Sequence, residues 1–217
     1  MPVVWSISRA VRLPVTVLFA VLIALLAATS FVSPAAGAAP RDDGQLHSLR
    51  NLRDNLWEAT AYSAAMNAEI PLMIIRPKDA ALGAPTFYLL NGAGGGEDGA
   101  NWLAQTDAVK FFADKNVNVV IPQKGIGSYY TDWIARDPVI GKPMWQTFLT
   151  TELPRAVDRS LRTSGVNVIG GMSMSATSVL NLAIAEPKLY KGVAAYSGCA
   201  RTSTLDGYSV IRGTVYI

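Results

Sequence analysis

The stretch "GVNVIGGMSMSATSVLNLAIA", residues 165–185, decides how the rest of the chain is read. Val166, Val168 and Ile169 are β-branched and stand beside two glycines, which predicts a short buried strand over 165–171. From Ser175 to Pro187 the residues are small or apolar apart from Asn181 and Glu186, with no breaker before Pro187, which predicts a helix. Ser173 falls on the join. A serine at the tip of so tight a strand-to-helix turn has its oxygen pushed clear of the sheet. Its neighbours two before and two after must be small, and here they are Gly171 and Ser175. The helix start then supplies free N–H groups and partial positive charge beside that oxygen. Ser173 is read as a nucleophile, with the Met174 amide as the first oxyanion donor. The competing reading makes Ser173 or Ser175 an ordinary N-cap.

Outward from this stretch, further strands are expected at 70–77, 85–92, 116–123 and 191–198. Helices are expected at 107–116, with Asp107 as its cap, and at 143–161, where Pro154 should kink or restart the helix. Alternating buried strands and helices imply an α/β fold with a mainly parallel central sheet covered on both sides. "LLNGAGGGEDGANW" (89–102) follows one of the buried strands and holds five glycines. Such a loop brings backbone close to a substrate, and Ala93, between Gly92 and Gly94, is the candidate second oxyanion donor. A phosphate loop is the competing reading, but neither Gly-Lys-Ser/Thr nor GxGxxG is present. Two oxyanion elements in this order make acyl transfer the leading chemistry, on an α/β-hydrolase fold.

The segments "FYLLNGAGGGEDGANW", "VVIPQKGIGSYYTDW", "WQTFLTTELP", "GGMSMSATSVLNLAIAEP" and "YSG" occur in an order that resembles the secreted mycolyltransferases, in the esterase D-like branch of α/β-hydrolases. The resemblance runs from about Trp57 to Ser209. It implies an acyl-Ser173 intermediate, oxyanion donors at Met174 and Ala93, and transfer of a mycoloyl chain between trehalose monomycolates or onto cell-wall arabinogalactan. No cofactor is expected, and the single histidine, His47, excludes a His-based metal cluster. Asn91 falls where many members hold a trehalose-binding aspartate, so Asn91, Gly92 and Gly94 are expected at the substrate. In "SYYTDW" (128–133) the aromatics are weighed toward packing rather than substrate contact, and Trp102 and Trp145 are assigned to packing.

The order nucleophile, acid, histidine leaves this chain short. No histidine follows Ser173, and the single histidine, His47, precedes the first expected strand. Glu186 lies at the far end of the elbow helix, and Asp206 has no histidine to orient. The expectation is a chain lacking the C-terminal part of the fold, weak or inactive alone, with a degenerate binding paralogue as the rival. Two further functional readings compete with the transferase: a secreted carboxylesterase of the same fold, and a non-catalytic wall- or matrix-binding protein.

Arg9 and Arg12 precede an apolar run to Ala28 and a small-residue exit, Ala36-Gly37-Ala38. This pattern reads as a signal peptide over 1–38. An uncleaved anchor is the competing reading. Residues 39–56 are read as a mobile mature N-terminus in which His47 is solvated, and 57–217 as the partial α/β-hydrolase domain. The chain carries net charge +3, which falls to about +1 without the two leader arginines, and no Lys/Arg block remains, so nucleic acid is not an expected partner. Localisation is expected at the cell wall or outer envelope. Cys199 is the single cysteine, so an internal disulfide is excluded, and a buried strand-end position is expected for it.

Overall fold

The computed structural model describes residues 44–78 and 83–215. The leader assigned to 1–38 lies outside them. A seven-stranded sheet runs in the order β1 (Leu46–Arg53), β2 (Leu56–Ser63), β3 (Ala68–Ile75), β5 (Asn118–Pro122), β4 (Thr86–Leu90), β6 (Asn167–Met172), β7 (Tyr190–Tyr196). β5, β4, β6 and β7 are parallel, while β1, β2 and β3 form an antiparallel meander that joins β5 antiparallel. The sheet is therefore mixed with a parallel centre.

Alternation along the strands splits the core between two faces. Tyr88, Leu90 and Val120 point to one face. There they meet the helical stretch made of α3 (Trp145–Thr147), a π-turn over Phe148–Glu152 and α4 (Leu153–Leu161), together with α5 (Met174–Ala185). Leu89, Val119 and Ile121 point to the other, under α1 (Trp102–Gln105) and α2 (Ala108–Phe112). A last helix, α6 (Leu205–Val215), absorbs the start of the terminal "IRGTVYI" stretch as helix. Pro154 sits in the first turn of α4, where its missing N–H costs nothing, so the helix restarts there.

Two strands escape the sequence pattern. Residues 46–53, expected to be mobile, are edge strand β1. Leu46 and Leu49 are three apart, which breaks a period of two, but a register shift between His47 and Arg50, with Ser48 at φ 52°, turns both toward the core. β2 buries Leu56, Ala59, Ala61 and Ser63, residues mostly too small or polar to give an apolar signal. His47 is consequently not solvated in a mobile arm: its Nδ1 lies 3.2 Å from Glu69 Oε1 of β3. Cys199 follows β7 and is half-buried rather than buried, with the Thr177 hydroxyl bridging its backbone N–H and carbonyl at 3.0 and 2.9 Å.

Candidate active site

β4 and β6 are hydrogen-bonded parallel neighbours, with Leu90 in register with Gly171. The loops leaving their C-terminal ends are thus forced side by side, although about 80 residues separate them in sequence. The chain visits β5 on one side of β4 and then crosses to β6 on the other. This reversal of strand order is where open α/β sheets form their ligand crevice.

Ser173 is exposed at the turn, with φ 55° and ψ −119°. Those angles match the first central residue of a type II′ turn, a position that favours glycine. It occupies the N-cap position of α5, but its side chain makes no capping bond. Two hydrogen bonds and one close backbone approach fix the conformation. The Ser173 amide donates to Tyr196 O at the end of β7 (2.9 Å), and Ala176 N donates to Ser173 O (3.1 Å). A Cβ on Gly171 would lie 2.5 Å from Ser175 Oγ and 2.8 Å from the Ser175 backbone, so only glycine fits there. Ser175, in the place where the motif usually ends in glycine, is fully buried. Its hydroxyl accepts from Met172 N (2.9 Å) and lies 3.1 Å from Leu90 O, tying the elbow to the end of β4. In the sequence Ser175 reads only as a small neighbour, and no pattern signals that a hydroxyl there bridges two strands.

The glycine loop reaches the nucleophile. A Cβ placed on Gly92 would lie 3.8 Å from Ser173 Cβ. Among the described residues, neither the Ala93 nor the Met174 amide donates to a protein acceptor. A third loop locks this arrangement: Lys124 N donates to Gly95 O (2.8 Å), Gly127 N to Ala93 O (2.9 Å), and Tyr129 N to Met174 Sδ (3.4 Å). Gly94 packs against the Asp98 carboxylate within the same loop.

Asn91 departs from expectation. It is fully buried, and its amide donates to Pro122 O (3.1 Å) and accepts from Trp102 N (3.3 Å). Both ends of the side chain are spent on holding the loop, so it does not face a sugar in this structure. The Tyr130 phenol is also buried, donates to Lys124 O (3.2 Å), and has its pKa raised by desolvation, with the Asn91 backbone amide pulling the other way. The rest of "SYYTDW" packs as well. Asp132 accepts from the Thr147 N–H and hydroxyl (3.1 and 2.6 Å), and Trp133 Nε1 donates to Ser128 O (3.0 Å). Trp145 is buried edge-on to Tyr130 and Phe148, and Trp102 Nε1 donates to Leu90 O (2.8 Å).

Titratable partners for Ser173 are distant. His47 on β1 stands five strand spacings from β6, about 24 Å at the usual interstrand distance. Glu186 caps the far end of the 12-residue helix α5, about 18 Å away. Asp206 is exposed in the first turn of α6. Among the described residues no group of three or more His, Cys, Asp or Glu side chains is arranged to hold a metal ion.

Residues 63–212 match the model of the Esterase family. The chain is 35% identical over 135 residues to the diacylglycerol acyltransferase/mycolyltransferase Ag85A of Mycobacterium tuberculosis, covering 59% of this chain and 39% of that protein. It is 37% identical over 112 residues to Ag85B of Mycobacterium leprae, covering 48% and 33%. Among solved structures it is similar to Mycobacterium tuberculosis MPT51 (FbpC1), with a TM-score of 0.60 and 27% identity over 71% of this chain and 55% of that one. The chain thus spans well under half the length of the curated relatives it matches.

Proposed function

This chain belongs to the Esterase family, on its mycolyltransferase and esterase D-like branch, and from that premise we propose that it acts in acyl transfer through an acyl-Ser173 intermediate. Ser173 Oγ attacks the carbonyl carbon of a donor ester. The amides of Met174 and Ala93 hold the negative charge on the tetrahedral oxygen, with Gly92 and Gly94 lying along the donor. Collapse breaks the bond to the donor alcohol, and an acceptor hydroxyl then takes the acyl group from Ser173. The proton lost by Ser173 ends on the departing donor alcohol, and the acceptor hydroxyl's proton returns to Ser173 Oγ; His47, five strands away, relays neither. The transferred group is a mycoloyl chain, moved between trehalose mycolates or onto cell-wall arabinogalactan, by a protein exported through the 1–38 leader to the envelope.

The observation that carries this reading is an exposed serine in a glycine-favoured backbone conformation, beside a glycine loop in which the Ala93 amide has no protein partner among the described residues. Prolonged incubation with a fluorophosphonate followed by peptide mass spectrometry tests it. Oxyanion stabilisation alone retains a rate of about 10³–10⁴ over water when triad members are missing, so slow labelling confined to Ser173 is expected. Labelling that persists in Ser173→Ala, or none at all, would reject the reading. The burial of Asn91 favours water as a second candidate acceptor, because it withdraws one expected sugar contact. Free acid without dimycolate from trehalose monomycolate would select that carboxylesterase.

A further inference from the structure

A cleft of about 450 Å³ lies between the β2–β3 turn and the 124–145 segment, beside the glycine loop and away from the oxyanion amides themselves. Its apolar floor includes Ile70 and Trp145. Lys124, Arg136, Lys142 and Glu97 also line it. None of the three cations has a carboxylate within ion-pair distance among the described residues, and Glu97 likewise has no cationic partner. The Lys124 ammonium touches only a backbone carbonyl, Glu69 O, at 3.5 Å, which leaves N–H groups to spare. Three cations and one carboxylate around one cavity leave a net of +2. No carboxylate within ion-pair distance neutralises these cations, and a ligand anion in the cleft can do so.

We propose that this cleft binds a sugar or polyol phosphate. A phosphate monoester carries about −1.5 to −2 charges at neutral pH, which matches the unbalanced lining, and Arg136 can grip two of its oxygens at once. The size suits a small glycoside, since ligand pockets run to about 300–1,000 Å³. The position connects it to the chemistry. Ser173 lies against Gly92, Gly95 is one tight turn further on, with Gly95 N bonded to Gly92 O, and Lys124 is bonded to Gly95. That chain of contacts joins the Lys124 wall of the cleft to the elbow through the glycine loop. The cleft is nevertheless lined by none of Ser173, Gly92, Ala93 and Met174, so its ligand is held at a site of its own beside the one that acyl transfer would use.

Titration calorimetry on Ser173→Ala protein, where no acyl chemistry intervenes, tests binding alone. The probes are trehalose 6-phosphate, trehalose and inorganic phosphate. Trehalose 6-phosphate is expected to bind about tenfold or more tighter than either of the others, and to lose that margin near 1 M salt, where the screening length is about 3 Å. The triple variant Lys124→Gln, Arg136→Gln, Lys142→Gln is expected to abolish the preference for the phosphorylated sugar. Lys142→Gln alone, at an exposed position, is expected to weaken trehalose 6-phosphate about threefold, and keeps the test decisive should the triple variant not fold. Equal affinity for trehalose and its phosphate overturns the proposal. So does phosphate binding as tightly as the sugar phosphate (an adventitious ion only), and so does a preference that survives in the variants. Fluorophosphonate labelling of Ser173 reports separately on the acyl-transfer reading, so either can fail without the other.

Discussion

Replacing Ser173 by glycine should make the protein more stable. Ser173 holds φ 55° and ψ −119°, a conformation that costs a residue with a Cβ about 1–3 kcal/mol. Glycine relieves that strain, while its greater freedom in the unfolded chain takes back about 0.5–1 kcal/mol. Little else is lost, because the side chain is exposed and makes no capping bond. The net gain is about 1 kcal/mol, or roughly 2–4 °C in melting temperature for a domain of this size. Ser173→Ala keeps the Cβ and should leave stability within about 0.5 kcal/mol of the parent. The difference between the glycine and alanine variants therefore isolates the backbone term. Urea and thermal unfolding of the three proteins, followed by circular dichroism, measure it. A glycine variant no more stable than the alanine variant would refute the claim that the fold strains this residue.

Gly171→Ala should cost about 1–3 kcal/mol, and adding Ser175→Gly should not rescue it, because the Ser175 backbone still lies 2.8 Å from the new Cβ; urea unfolding of the single and double variants checks both statements. Asn91→Ala should destabilise by about 1–3 kcal/mol through the loss of its bonds to Pro122 O and Trp102 N, and should slow labelling at Ser173 by loosening the glycine loop. His47→Gln should leave labelling unchanged and cost under about 1 kcal/mol, since the Glu69 contact is half-exposed and distant from Ser173. Burial raises the pKa of Tyr88, Tyr130 and Tyr190 in the fold, whereas the unfolded chain releases these protons near the ordinary value of about 10. Their contribution to stability is therefore complete below that pH and is lost as pH rises above it, so the phenolate absorbance should appear together with unfolding in alkaline titrations.

The elements legible in the sequence are those whose signal is local. Five strands and the elbow helix announce themselves by β-branched runs, glycine punctuation and an unbroken apolar stretch. β1 and β2 do not. The leucines of β1 fall out of period because a bulge corrects their direction, and the alternation in β2 rests on Ala59, Ala61 and Ser63, which are small. At the site, Ser173 and the glycine loop are readable because their spacing and residue types follow from turn geometry. The role of Asn91 is not, because whether an amide faces ligand or core depends on Pro122 and Trp102, which reach it from other segments. The bridging hydroxyl of Ser175 and the cations at 124, 136 and 142 are likewise products of tertiary placement.

The π-turn over Phe148–Glu152 has a consequence for how this chain can vary in length. Leu153 N reaches back five residues to Phe148 O, one residue further than an α-helical bond, just before a proline that could not have continued the α register. The turn therefore has the form of a single inserted residue stored within a helix. Glu152 leaves it to accept from the Ser63 hydroxyl and Ala65 N of the β2–β3 hairpin, and the Leu149 carbonyl accepts from the Tyr190 phenol of β7. Deleting one residue here would restore ordinary α spacing but rotate everything downstream by about 100°. Leu153 and Val157 would swing off the sheet while Glu152 and Leu149 lost the hairpin and β7. Intolerance of single-residue insertions and deletions should be concentrated in these five positions, which act as the spacer between the two flanks of the sheet.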